Sequence, residues 1–136
     1  MARKPHVLVI PFPAQGHVAP FMKLAIQIAA HGVKVTFVNS ESVHEKLIAS
    51  TSGDIKEIRL VTIPDGLDAA GQRNIVTFTK QARIGMPGPL KDLIEQSNST
   101  NENITCILAD TNAVWALQVA KEMGIERIAV LVAGPA

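Results

Sequence analysis

Tyrosine is absent from this chain, and the remaining aromatics are one tryptophan and four phenylalanines. No aromatic residues alternate with lysines and arginines, so nothing suggests a surface on which nucleic-acid bases would stack. A formal charge of +1 supplies no field to draw in a polyanion or an anionic membrane, and neither is expected as a partner. The single cysteine, Cys106, excludes an internal disulfide and has no Cys or His companions at metal-ligand spacing. Its place in the apolar run Ile104-Thr105-Cys106-Ile107-Leu108-Ala109 reads as a buried structural thiol. Long hydrophobic runs are also lacking. No segment is long enough to span a bilayer, and Pro11, Pro13 and His17 interrupt the apolar stretch after Arg3-Lys4 before it could act as a signal peptide. The expected location is the cytosol, where the sequons Asn98-Ser99-Thr100 and Asn103-Ile104-Thr105 carry no meaning. No G-x-G-x-x-G follows the first apolar run and no Walker sequence occurs, which disfavours a nucleotide-binding regulatory domain.

What is present is an alternation of strand-like and helix-like segments. With 47% apolar and 18% charged residues, a chain of 136 residues makes one globular domain able to bury a core. His6 to Phe12 is a continuous apolar run, as in a strand covered on both faces. Phe21, Leu24, Ala25, Ile28 and Ala29 recur at i, i+3, i+4, i+7 and i+8. That stripe predicts a helix with Pro20 in its first turn and Gly32 at its end. Val33 to Asn39 predicts a second strand, completing a right-handed βαβ unit. Beyond it the pattern predicts a short helix over Ser42 to Ile48, a polar loop over Ser50 to Asp54 and a third strand over Ile58 to Ile63. The turn Pro64-Asp65-Gly66 closes that strand. A helix from about Asn74 to Gly85, a break at Met86 to Pro89, a helix over Leu90 to Glu95 and an exposed connection over Gln96 to Asn103 follow. A fourth strand over Ile104 to Ala109, a helix marked by Ala113, Ala116, Leu117, Ala120 and Met123, and a fifth strand over Ile128 to Val132 complete it, with Gly124 ending the helix. The expected fold is α/β, Rossmann- or flavodoxin-like, with a mostly parallel sheet flanked by helices. No helix follows the last strand to cover it, so the chain reads as part of something larger.

The residues that could carry chemistry sit where strands end. His17 follows the first strand, after a loop bearing Pro11, Pro13 and Gly16, and is placed just ahead of a helix. In an open parallel sheet, ligands bind at that carboxyl edge. Imidazole takes a proton near neutral pH, so His17 is a candidate general base; a histidine that merely hydrogen-bonds its loop is the other reading. Asp110 directly follows the fourth strand and would project from the same edge. Its carboxylate could accept the Nδ1 proton of His17, with a substrate hydroxyl in the place of a triad serine. The alternative for Asp110 is an N-cap on the helix that follows. Trp115, one turn further, lines a pocket or packs into the core. Asp65 and Asp68 read as solvated turn acids, and His31 and His44 as surface residues near helix ends.

The stretch Pro11-Phe12-Pro13-Ala14-Gln15-Gly16-His17-Val18-Ala19-Pro20 resembles the opening motif of plant family 1 UDP-glycosyltransferases. Val35-Thr36-Phe37-Val38-Asn39, Ile63-Pro64-Asp65-Gly66-Leu67 and Cys106-Ile107-Leu108-Ala109-Asp110 with Trp115-Ala116-Leu117-Gln118-Val119-Ala120 agree in order and spacing. The resemblance implies an incomplete N-terminal lobe of a GT-B enzyme, an acceptor-binding domain over residues 1–136 that lacks the C-terminal donor-binding domain. It implies His17 as the base that deprotonates a small lipophilic acceptor, and Asp110 as the group that holds and charge-balances it. Gly16 would allow close approach of the donor diphosphate, and Gln15 and Trp115 would join it as substrate-binding residues. The donor would be a UDP-sugar, usually UDP-glucose, reached through the missing domain and attacked with inversion, without metal or other cofactor. The isolated chain would then be inactive, and a non-catalytic binding module or truncated remnant is the alternative. Two departures stand out: the family's sugar-nucleotide signature is absent, and Val130-Leu131-Val132 replaces a Phe-Trp-Pro-like stretch.

Overall fold

Strands β1 (His6–Ile10), β2 (Lys34–Ser40), β3 (Ile58–Ile63), β4 (Cys106–Asp110) and β5 (Glu126–Val130) form one sheet in the order β3-β2-β1-β4-β5. Every neighbouring pair is parallel. The computed structural model describes residues 4–12, 15–40, 58–63 and 75–132, with the backbone alone described for 15–17 and 75–79. The expected α/β class is observed, and the strand order is that of the Rossmann fold, not the flavodoxin one. β1 occupies the centre because it is apolar on both sides: Leu8 and Ile10 enter one core, Val9 the other.

Helix α1 (Gln15–Ala30) joins β1 to β2 and covers one face, where Val18, Phe21, Met22, Ala25 and Ala29 lie on Val9, Val35, Phe37, Ile58 and Leu108. Helices α2 (Ile75–Gly85), α3 (Pro87–Ser99) and α4 (Val114–Glu122) supply the opposite core. There Ala82, Met86, Leu90, Ile94, Ala116 and Val119 meet Leu8, Ile10, Val38, Ile63, Ile107 and Ala109. Successive crossovers therefore run outward from the middle of the sheet, and the direction of winding reverses between β1 and β4. In doubly wound sheets ligands bind where the winding reverses, here at the carboxyl ends of those two strands.

Several element boundaries differ from the sequence-based expectation. α1 begins at Gln15, so Pro20 lies inside it and His17 is its third residue, not ahead of it. Proline near a helix start forfeits only one early i→i−4 bond, which the packing of Val18, Phe21 and Met22 offsets. The break at Met86 to Pro89 shrinks to Met86, since Pro87 stands at the start of α3, where no N–H is needed. α3 then continues through Ser99, absorbing part of the expected connection. Gln96, Asn98 and Ser99 are exposed on it while Ser97 is buried, a helical alternation that polar composition disguised. Both α3 and α4 end in the same left-handed turn. Asn101 at φ 63 and Gly124 at φ 68 let Glu102 and Ile125 donate to the carbonyls of Ser97 and Ala120. β4 and β5 start two residues to either side of their expected positions, and Glu126 to Ala129 on the edge strand are exposed. Cys106 is half-buried, not buried; burial and Glu126, its partner in the β4–β5 register, push its thiol pKa up. The expected short helix at 42–48, the loop at 50–54 and the turn at 64–66 lie outside the described residues.

The amino edge of the sheet is locked by His6, which is 2% exposed. Its Nδ1 faces the carbonyl of Glu102 at 3.0 Å and its Nε2 faces Thr36 Oγ1 at 2.7 Å. A carbonyl only accepts, so Nδ1 carries the proton and Nε2 accepts from the threonine hydroxyl. Burial, with the cations of Lys34 and Arg59 adding to it, lowers the His6 pKa from 6.5 to about 4. The unfolded chain therefore takes up a proton below pH 6.5 that the folded chain refuses until about 4. Stability from neutral His6 is complete above 6.5 and drains away as the pH falls towards 4. Melting curves at pH 7 and pH 4.5 should show a larger fall for the wild type than for His6→Asn. Equal falls in both would remove His6 as the cause.

Candidate active site at the carboxyl edge

Val7 to Ile10 pair with Cys106 to Ala109, so β1 and β4 are direct neighbours and leave the sheet side by side. The residues that leave β1 and the turn after β4 thus adjoin at the carboxyl edge. Asp110, the last residue of β4, is fully buried. Its Oδ2 accepts from the backbone N–H of Phe12 at 3.3 Å, and its Oδ1 from that of Asn112 at 2.9 Å. The second bond is an Asx turn, and the Asp110 carbonyl accepts from Ala113 N–H at 2.8 Å to tighten it. The N-cap alternative does not hold: α4 is preceded by Ala113 at the cap position, with no side-chain cap bond. Asp110 instead bridges the exits of two strands, tying the loop that leads to α1 onto β4.

Gln15, Gly16 and His17 form the first turn of α1, on the same edge. Their side chains lie outside what is described, and with them the contact expected between His17 and Asp110. The first turn of α1 holds no acidic residue, so no side-chain charge there offsets the positive end of the helix dipole. Trp115 is 7% exposed and packs in the cluster of Phe12, Ala113 and Ala116, so most of its ring is core. His31 is exposed after the end of α1. Asp65, Asp68 and His44 lie outside the described residues.

Two features of this edge had no sequence signature. The Phe12 N–H acts through the backbone, to which any residue but proline would contribute equally. Asn39, read only as a strand residue, is buried near the end of β2 with neither side-chain polar atom bonded to a described residue. No helix among the described residues is long and apolar enough to cross a membrane.

Comparison with known proteins places this architecture. Residues 4–65 match the glycosyltransferase N-terminal domain family. The chain is 39% identical to UDP-glycosyltransferase 83A1 of Arabidopsis thaliana, over 93% of this chain and 30% of that protein. It is 34% identical to (R)-mandelonitrile beta-glucosyltransferase of Prunus dulcis, over 92% of this chain and 28% of that one. Among solved structures, a UDP-glucose: anthocyanidin 3-O-glucosyltransferase in complex with UDP superposes with a TM-score of 0.80 at 27% identity, covering 96% of this chain and 30% of that one. Os79 of O. sativa in complex with UDP shares the fold, with a TM-score of 0.76 over 90% of this chain and 28% of that one. The chain thus spans about 30% of the length of the curated relatives it matches. Strand order, the adjoining carboxyl ends of β1 and β4 and these likenesses agree: over nine-tenths of its length the chain is similar to the amino-terminal portion of plant UDP-glycosyltransferases.

Proposed function

We propose that this chain is the acceptor-binding lobe of an inverting glycosyltransferase that moves a sugar from a UDP-sugar to a hydroxyl of a small lipophilic molecule. The single observation that carries the reading is the bridge from Asp110 to Phe12 N–H, which fixes a buried carboxylate against the loop leading to His17. In this mechanism His17 takes the proton of the acceptor hydroxyl as its oxygen attacks the anomeric carbon. The bond from that carbon to the β-phosphate oxygen breaks, and UDP departs with the electron pair. Asp110 steadies the imidazolium that forms. Gln15 and Gly16 border the reacting groups, with glycine leaving room for the diphosphate beside the helix start, and Trp115 contributes the exposed rim of its ring to the acceptor wall. No metal or other cofactor takes part in this scheme. The donor is held mainly by a second lobe, and the protein works in the cytosol.

Joining this chain to the donor-binding half of the anthocyanidin enzyme should restore glucose transfer to alcohols or phenols. The 136-residue chain by itself should give little or none, because one lobe neither grips the donor nor excludes water. Robust turnover by the lone chain would defeat the half-site reading. A joined protein that folds and binds UDP yet glycosylates none of a broad panel of hydroxyl compounds would favour a non-catalytic binding module.

A further inference from the structure

We propose that Asn39 is a specificity-determining contact for the acceptor, its buried carboxamide pairing with a hydroxyl of the bound molecule. The inference rests on the acceptor-lobe reading above. Asn39 is the penultimate residue of β2, in register with Thr62 of β3, and reaches the same carboxyl edge as Asp110 and the first turn of α1. Alternation along β2 puts it on the α1 side with Val35 and Phe37, whereas Val38 enters the opposite core. It is 2% exposed, yet both Oδ1 and Nδ2 lack a hydrogen-bond partner among the described residues.

Other buried polar groups nearby are not left this way. Thr36, on the same strand, is paired with His6 at 2.7 Å, and Asp110 accepts two backbone bonds. Strand pairing at Asn39 uses its backbone and gives the side chain nothing to do. A valine or leucine would suit a face made of Val9, Val35, Phe37 and Phe21, and would spare the protein an unsatisfied amide. Keeping such a group at a ligand edge is the pattern expected when stability is traded for recognition. The chemistry of the partner follows from the amide itself. It offers the two N–H donors of Nδ2, the acceptor oxygen Oδ1 and no charge. A phosphate or carboxylate would accept from Nδ2 but give Oδ1 no donor, and a metal cation would take Oδ1 but give Nδ2 no acceptor. A hydroxyl can donate to Oδ1 and accept from Nδ2, and its apolar body would suit the surrounding face.

The test uses the purified chain and its Asn39 side-chain NH2 resonances, assigned through their own backbone. Benzyl alcohol should move that pair saturably, while toluene, the same shape without the hydroxyl, should not. Asn39→Leu should melt about 2–5 °C higher and bind benzyl alcohol about five- to tenfold more weakly, no better than toluene. Equal movement by both probes, no movement by either, or a lower melting temperature for Asn39→Leu would overturn the proposal. The wild-type titration decides the matter if the variant does not fold. The readout needs no catalysis. An amide that responds in a protein that never transfers sugar sinks the catalytic reading alone, and a silent amide in one that does transfer sinks this contact alone.

Discussion

His17→Ala, made in a glycosyltransferase carrying this segment, should cut transfer by about 10²-fold or more, the usual consequence of losing a general base. Donor affinity should change far less, because the base acts on the acceptor. The alternative role, a histidine that only ties down its loop, predicts a different split. Since His17 lies in the first turn of α1 and not in the loop before it, its backbone is held by the helix whatever its side chain does. Alanine, a good helix former, should therefore leave folding nearly unchanged. A variant with normal kcat would move the chemistry elsewhere. One with a collapsed melting temperature would make His17 a structural residue.

Asp110 should behave differently, because the structure gives it work in both folding and rate. Its two oxygens accept from two N–H groups, on Phe12 and Asn112. Asparagine has one acceptor oxygen, so its NH2 would meet an N–H head-on at one of these positions. Asp110→Asn should thus lower stability by about 1–3 kcal/mol, and Asp110→Ala by about 2–4 kcal/mol, as the buried Phe12 N–H loses its charged partner. If Asp110 also steadies His17, transfer per folded molecule should fall as well, though less than for His17→Ala. The rate should be measured well below the melting point of each variant. A wild-type melting temperature for Asp110→Asn would contradict the bridge, and a wild-type rate per folded molecule would leave Asp110 a structural residue only.

Much of the fold was legible because the period of the apolar residues is a direct consequence of burial. The third strand, Ile58–Ile63, was read at its true bounds, and the run around Leu8 to Ile10 marked the strand that is covered on both sides. Misreadings came where two signals compete. Pro20 suggested a helix start, yet a proline one turn in is tolerated once the packing beyond it is strong. Ile128 to Val132 suggested the fifth strand, but the strand starts at Glu126, whose charge hides it: on a sheet edge charged residues are tolerated, and even Ile128 is 50% exposed. At the site, side-chain chemistry could be read from residue types, whereas which strands adjoin could not. The meeting of β1 and β4 depends on chain winding over about 100 residues. The Asp110–Phe12 bond follows from that winding and leaves no trace in composition.

The central place of β1 has a consequence in time. His6 and Thr105 hold each other through three hydrogen bonds across 99 residues of chain. On the ribosome β2 follows β1 within a few dozen residues, but β4 is complete only about 100 residues after β1. At about 5–20 residues per second, one edge of the most apolar strand waits roughly 5–20 seconds without its neighbour. During that interval a half-built sheet offers its middle to whatever is near. How much of this protein a cell recovers will depend on what shields β1 in those seconds, as well as on the stability of the finished fold.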